Sequence, residues 1–154
     1  MDATPGTDDP IARCVPVDLR DYVRFADGEE ATKVRVLWTP HVALDLWCIE
    51  PMQATGVLHD PDRDTTYTVI GGRSWFVTDQ GEIGLDPMGA LLVPAGVVHG
   101  IDNRAPDPLI VVAHSAPPDD DRPQEPTGDD GLAIREDDDR PGPIGRAWKA
   151  VLGR

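Results

Sequence analysis

From Val34 to Trp38 apolar and polar positions alternate as a half-buried strand requires, and Thr39-Pro40 ends the run. Ala43–Ile49 reads as the next strand. Leu44, Leu46 and Cys48 share one face, Asp45, Trp47 and Ile49 share the other, and Pro51 closes it. Short strands are then predicted at regular spacing: Gly56–His59, Thr65–Ile70, Arg73–Thr78, Glu82–Leu85, Ala90–Val93, Val98–Asp102 and Leu109–Ser115. Turn formers separate them, among them Asp60-Pro61, Gly71-Gly72, Asp79-Gln80-Gly81, Asp86-Pro87, Pro94-Ala95-Gly96 and Asn103-Arg104-Ala105-Pro106. No part of this region has helical periodicity. The pattern predicts an all-β sandwich or barrel.

The flanks read differently. Residues 1–13 are polar, with Pro5, Gly6 and Pro10, and are expected to be a disordered leader. Val15-x-Val17 fits the start of an edge strand, and Asp18 to Phe25 fits a short turn or helix. After Pro117-Pro118 come Asp119-Asp120-Asp121, Asp129-Asp130 and Glu136-Asp137-Asp138-Asp139, spaced by Pro and Gly. Such a composition buries too little apolar surface to offset its ordering entropy, so residues 117–143 are expected to be an acidic disordered linker. At the end Ile144, Ala147, Trp148, Val151 and Leu152 fall on one helical face, with Pro143 able to start the helix and Gly153 to end it. A helix this short is unstable alone in water. Residues 144–154 are therefore expected to dock, on their own barrel, on a dimer mate or on another protein. The predicted barrel spans residues 14–116.

A chain of 154 residues at 40% hydrophobic content is long enough for one domain with a real core. No apolar run approaches the roughly 18–20 residues of a membrane span, and the first residues have no basic or apolar signal region. A cytoplasmic protein with no membrane partner is the expectation. The net charge of −14 and pI near 4.4 argue against nucleic acid, whose phosphates would be repelled. Cys14 and Cys48 are too few for a disulfide framework and read as reduced thiols, with Cys48 packed in its strand. There is no Walker loop, Rossmann glycine set, nucleophile elbow or zinc knuckle.

The chemistry concentrates between Gly56 and Asn103. Pro94-Ala95-Gly96-Val97-Val98-His99, followed by Asn103, resembles the second motif of the cupin family. Met88-Gly89 stands where that motif usually has Gly-Asp. Counting back from Gly71 places Asp64 at the carboxylate position of the first motif and His59 at its second histidine, with Val57 where the first histidine is usual. The resemblance covers residues 30–116. It implies a small jelly-roll β-barrel (a double-stranded β-helix) with a site inside its mouth, and a homodimer.

The resemblance further implies one divalent transition metal (Fe, Mn, Ni, Zn or Cu) held by His59, Asp64 and His99. Two imidazoles and one carboxylate leave positions open for substrate or water. The function implied is a small metalloenzyme acting on a small organic acid or carbonyl compound, of isomerase, lyase or oxygenase type. Asp64 and Tyr67 are its catalytic candidates. The alternative is a metal-free cupin that binds a small molecule as sensor or accessory, with His59 and His99 hydrogen-bonded to neighbours or ligand. His41 and His114 are further imidazoles that could replace the missing ligand. Asp60-Pro61-Asp62-Arg63-Asp64 reads as a solvated turn or as a site for a hard cation. Trp38, Trp47, Trp75 and Tyr67 read as core or pocket walls.

Overall fold

The computed structural model describes residues 14–119. The expectations for residues 1–13 and 120–154, the docking helix 144–154 among them, lie outside the described residues. A 3-10 turn, Leu19–Tyr22, precedes the strands β1 Thr32–Trp38, β2 Ala43–Ile49, β3 Asp64–Gly71, β4 Ser74–Thr78, β5 Gly81–Leu85, β6 Ala90–Val93, β7 His99–Asp102 and β8 Leu109–Ala116. They form two antiparallel sheets, in the order β1-β2-β8-β3-β6 and β5-β4-β7. This is the all-β architecture expected from the strand pattern, and the jelly roll that the cupin resemblance implies. Among the described residues no helix is long and apolar enough to cross a membrane.

Register and the two-residue side-chain period decide what lies inside. Arg35 pairs with Asp45, Asp45 with Ala113, Ala113 with Tyr67, and Tyr67 with Leu91. One row of inward positions therefore crosses the whole larger sheet. Away from that row, Ile49, Val69, Phe76, Ile101, Leu109 and Val111 form a fully buried apolar core between the sheets. Each such side chain contributes about 1.5–3 kcal/mol by leaving water. The other end of the same interior is polar, with Arg35, Asp45, Thr65, His99 and Ser115 all buried. Burying such groups costs free energy unless each is paired. The apolar end holds the barrel together, and the polar end is where a site can form.

The outer face of the larger sheet is covered as well. Val34, Val36, Leu46, Cys48 and Val112 pack under Tyr22 from the 3-10 turn. Asp18 caps that turn through the Arg20 amide at 3.0 Å. Cys48 is buried in its strand, and Cys14 is exposed.

Three expectations are corrected. Gly56–His59 is not a strand. Gly56 has φ +76, and the run pairs with the sheet only where Leu58 bridges His99. Val15-x-Val17 forms no edge strand, while Asp18 to Phe25 resolves into the 3-10 turn. Trp38 is not in the core: it ends β1 54% exposed and lines a surface groove with Leu37, Val42 and Leu44. Trp75 also lies outside the core, with Arg73 and Arg104 over its ring at 5.6 and 5.1 Å.

Candidate functional site

The polar end of the barrel encloses a cavity of about 120 Å³. Two cations line it, Lys33 from an inward position of β1 and Arg63 from the turn before β3, while Arg35, the next inward position of β1, is buried against the lining carboxylates Asp45 and Asp119. Arg35 is 3% exposed and grips Asp45, itself 1% exposed, in a two-pronged contact of 2.8 and 3.1 Å. This fork geometry is the strong form of an arginine–carboxylate pair. The carboxylate keeps the Arg35 guanidinium charged, its pKa raised above the ordinary value.

A further carboxylate sits on these cations. Asp119 arrives from beyond β8. Its side chain accepts from Arg35 Nη2 and from Lys33 Nζ, the latter at 2.9 Å, and its main-chain oxygen accepts from Arg35 Nη1 at 3.0 Å. Arg63 Nη1 lies 3.6 Å from the same carboxylate and 2.6 Å from Asp60. Arg63 Nε is buried with no hydrogen-bond partner among the described residues. Lys33 Nζ also lies 5.9 Å from the centre of the Trp47 ring, which lines the cavity.

The opposite wall is the pair Tyr67 and His99. His99 Nδ1 faces the Val97 carbonyl at 3.1 Å. A carbonyl only accepts, so Nδ1 carries the proton and Nε2 is bare. Tyr67 Oη therefore donates to Nε2, at 2.7 Å. Burial pushes the His99 pKa below 6.5, with the Val97 carbonyl opposing the shift. Burial, and then the negative charges of Asp45 and Asp60, push the Tyr67 pKa upward. Both groups are neutral at pH 7. Thr65 Oγ1 and Ser115 Oγ, 3.3 Å apart, line the cavity between the two groups of side chains.

The structure brings His59, Tyr67 and His99 to this cavity, His59 from an exposed position at its mouth. It does not bring Asp64 there. Thr65, Tyr67 and Val69 point inward from β3, so strand alternation turns Asp64 outward. Its carboxylate instead accepts from the Ala95 amide at 2.8 Å, pinning the turn before β7. That turn runs from Pro94 to Val97 and needs the positive φ of Gly96, +88.

Val57, at the first histidine position, is 81% exposed. His41 is exposed in the turn between β1 and β2. His114 is exposed on the outer face of β8, so neither imidazole reaches the cavity. Asp60-Pro61-Asp62 is a turn closed by the Asp62 amide on Asp60 Oδ1, at 3.2 Å. No group of three His, Cys, Asp or Glu side chains able to hold a metal ion occurs among the described residues. A divalent metal would find two imidazoles at the cavity, one of them already bonded through Nε2, and no carboxylate from position 64. The donor set does not fit the expected metal.

Sequence reasoning missed Lys33, Arg35, Arg63, Asp45 and Asp119. The available signal was charge on inward strand positions. Asp45 shares its predicted face with Trp47 and Ile49, and Arg35 lies between Val34 and Val36.

Compared with solved structures, the chain is similar to TT1209 from Thermus thermophilus, at 28% identity and a TM-score of 0.61 over 65% of this chain and 94% of that one. It is also similar to a conserved Klebsiella pneumoniae protein with a double-stranded β-helix domain, at 27% identity and TM-score 0.64, covering 68% and 91%. An RmlC-like cupin protein from Desulfovibrio desulfuricans matches at 22% identity and TM-score 0.61, covering 70% and 100%; at that identity the likeness is one of fold. No family model matches the sequence, and no curated protein matches it.

Proposed function

From the premise that this chain is a cupin, a double-stranded β-helix barrel, we propose that it binds a small hydroxy acid in the barrel mouth without a metal. One observation carries this reading: Lys33, Arg35 and Arg63 converge on a single carboxylate, that of Asp119 in the cavity wall. An organic acid presents the same group.

Two further features narrow the ligand. The cavity is about 120 Å³ with Asp119 in place, a size that suits a small acid. Tyr67 has spent its one hydrogen on His99, and its oxygen can only accept from anything else. A ligand group facing it must therefore donate, as a hydroxyl does. The neutral His99 behind Tyr67 is able to take up a proton at Nε2, which gives the pair a role in proton exchange with a bound hydroxyl.

The metal-dependent alternative, isomerase, lyase or oxygenase chemistry on a metal held by His59, Asp64 and His99, lacks its carboxylate at the cavity. The two readings separate in a thermal-stability screen of acetate, glycolate and lactate with and without chelator. Metal-free binding predicts that glycolate and lactate raise Tm more than acetate does, with chelator making no difference. Stabilisation that appears only with an added divalent metal overturns it.

A further inference from the structure

We propose that Asp119 is a built-in occupant of the ligand's carboxylate site, so that an organic acid binds only by displacing it. This inference rests on the reading of the cavity given above. It adds a coupling between the cavity and the chain that continues from Asp119.

Charge is the first argument. Around the cavity Lys33, Arg35 and Arg63 face Asp45, Asp60 and Asp119. Asp119 puts a carboxylate directly on Arg35 and Lys33, and a ligand carboxylate at the same place can accept from the same two cations.

Fit is the second argument. Asp119 lies only three residues beyond Ala116, which β8 holds in register opposite Asp64. That short tether limits how the side chain can sit. Its carboxylate is within hydrogen-bond distance of Arg35 and Lys33 but stays 3.6 Å from Arg63, whose Nε has no partner among the described residues. Asp119 leaves donor capacity unused. An untethered acid can centre itself among all three cations and reach Tyr67 as well.

The consequence is mutual exclusion. Two carboxylates cannot share the position, because like charges in contact repel strongly in a poorly solvated site. A ligand that wins the site releases Asp119, and by linkage anything that holds Asp119 in place weakens the ligand. The residue works as a competitor present at the effective concentration of a short tether, in the millimolar range or above.

Calorimetric titration of the full chain with glycolate tests this, comparing wild type with Asp119→Asn and with Asp79→Asn, a charge-matched control in the exposed turn between β4 and β5. The expected result is at least about tenfold tighter binding in Asp119→Asn and unchanged binding in Asp79→Asn. If wild type binds glycolate and Asp119→Asn binds it no more tightly, the competitor role is overturned and the ligand site stands. If none of the three proteins binds, the ligand site itself fails, and this inference with it. Should Asp119→Asn be poorly folded, Asp119→Ala titrated with acetate replaces it. Acetate is then expected to raise its Tm saturably and further than that of wild type, and equal shifts in the two proteins overturn the proposal.

Discussion

Tyr67 Oη donates to His99 Nε2 across 2.7 Å, and this bond joins the five-stranded sheet to the three-stranded one at the polar end of the barrel. Tyr67→Phe leaves Nε2 buried without a donor. A stranded buried acceptor costs about 1–3 kcal/mol, so the variant is expected to be that much less stable in urea denaturation. It also loses the oxygen that accepts from a ligand hydroxyl. Its preference for glycolate over acetate should shrink, and an undiminished preference would remove Tyr67 from ligand recognition.

His99 makes stability depend on pH in a definite direction. Its folded pKa lies below the ordinary 6.5, so between those two values the unfolded chain binds more protons than the folded one. The contribution is fully present above pH 6.5 and is lost as pH falls through the folded value. The groups closest to the ring are Tyr67 and the Val97 carbonyl. Denaturation midpoints measured from pH 7.5 down to 5 should fall below pH 6.5 in wild type. In His99→Gln that part of the slope should flatten, and an equal slope in both would assign it to other groups.

Asn103, the last residue of the motif, is a structural cross-link. It is 1% exposed. Its Nδ2 donates to the Ile49 and Asp107 carbonyls, each at 2.8 Å, and its Oδ1 accepts from the Ala105 amide at 3.0 Å. Asn103→Ala is expected to cost about 3 kcal/mol from these three bonds, read by chemical denaturation. A loss under about 1 kcal/mol would mean that water replaces them without penalty.

Met88 stands where glycine is usual in the motif, and the backbone there has φ +77. The Gly89 amide bonds back to the Asp86 carbonyl at 2.8 Å, with Pro87 second and Met88 third in the turn, the arrangement in which the third residue must be left-handed. A left-handed non-glycine residue is strained by roughly 1–2 kcal/mol, and glycine gives back roughly 0.5–1 kcal/mol of that through its unfolded-state entropy. Met88→Gly should therefore stabilise the protein by about 0.5–1 kcal/mol. A destabilised variant would show that the exposed Met88 side chain has a packing role.

The strands were legible because their alternation is strong. The two faces of β2 read from the sequence are the two faces in the structure, with Leu46 and Cys48 under the 3-10 turn and Asp45, Trp47 and Ile49 inward. Motif counting and strand parity gave different answers at position 64. Counting from Gly71 made Asp64 a ligand, whereas the inward run Thr65, Tyr67, Val69 turns it outward. That parity was readable from the apolar character of Val69. The cationic site was harder to see. Lys33, Arg35 and Arg63 meet only through the pairing of β1 with β2, β2 with β8 and β8 with β3, which no local pattern reveals. Asp119 fell in the stretch read as an acidic linker from residue 117. Its composition resembles that of the residues after it, and only its short distance from the end of β8 sets it apart.

Calorimetric titration with glycolate in the presence of chelator, comparing Asp119→Asn with Asp119→Asn/Lys33→Met so that the competing carboxylate is absent from both, tests the carboxylate site most directly. Lys33 lies at the partly exposed rim of the cavity, so its substitution leaves the apolar core untouched. The account predicts saturable binding in Asp119→Asn that chelator does not alter, and affinity at least about tenfold weaker once Lys33→Met is added, in line with the loss of one charge-assisted hydrogen bond. Equal affinity in the two proteins, or binding that appears only when a divalent metal is supplied, would contradict it.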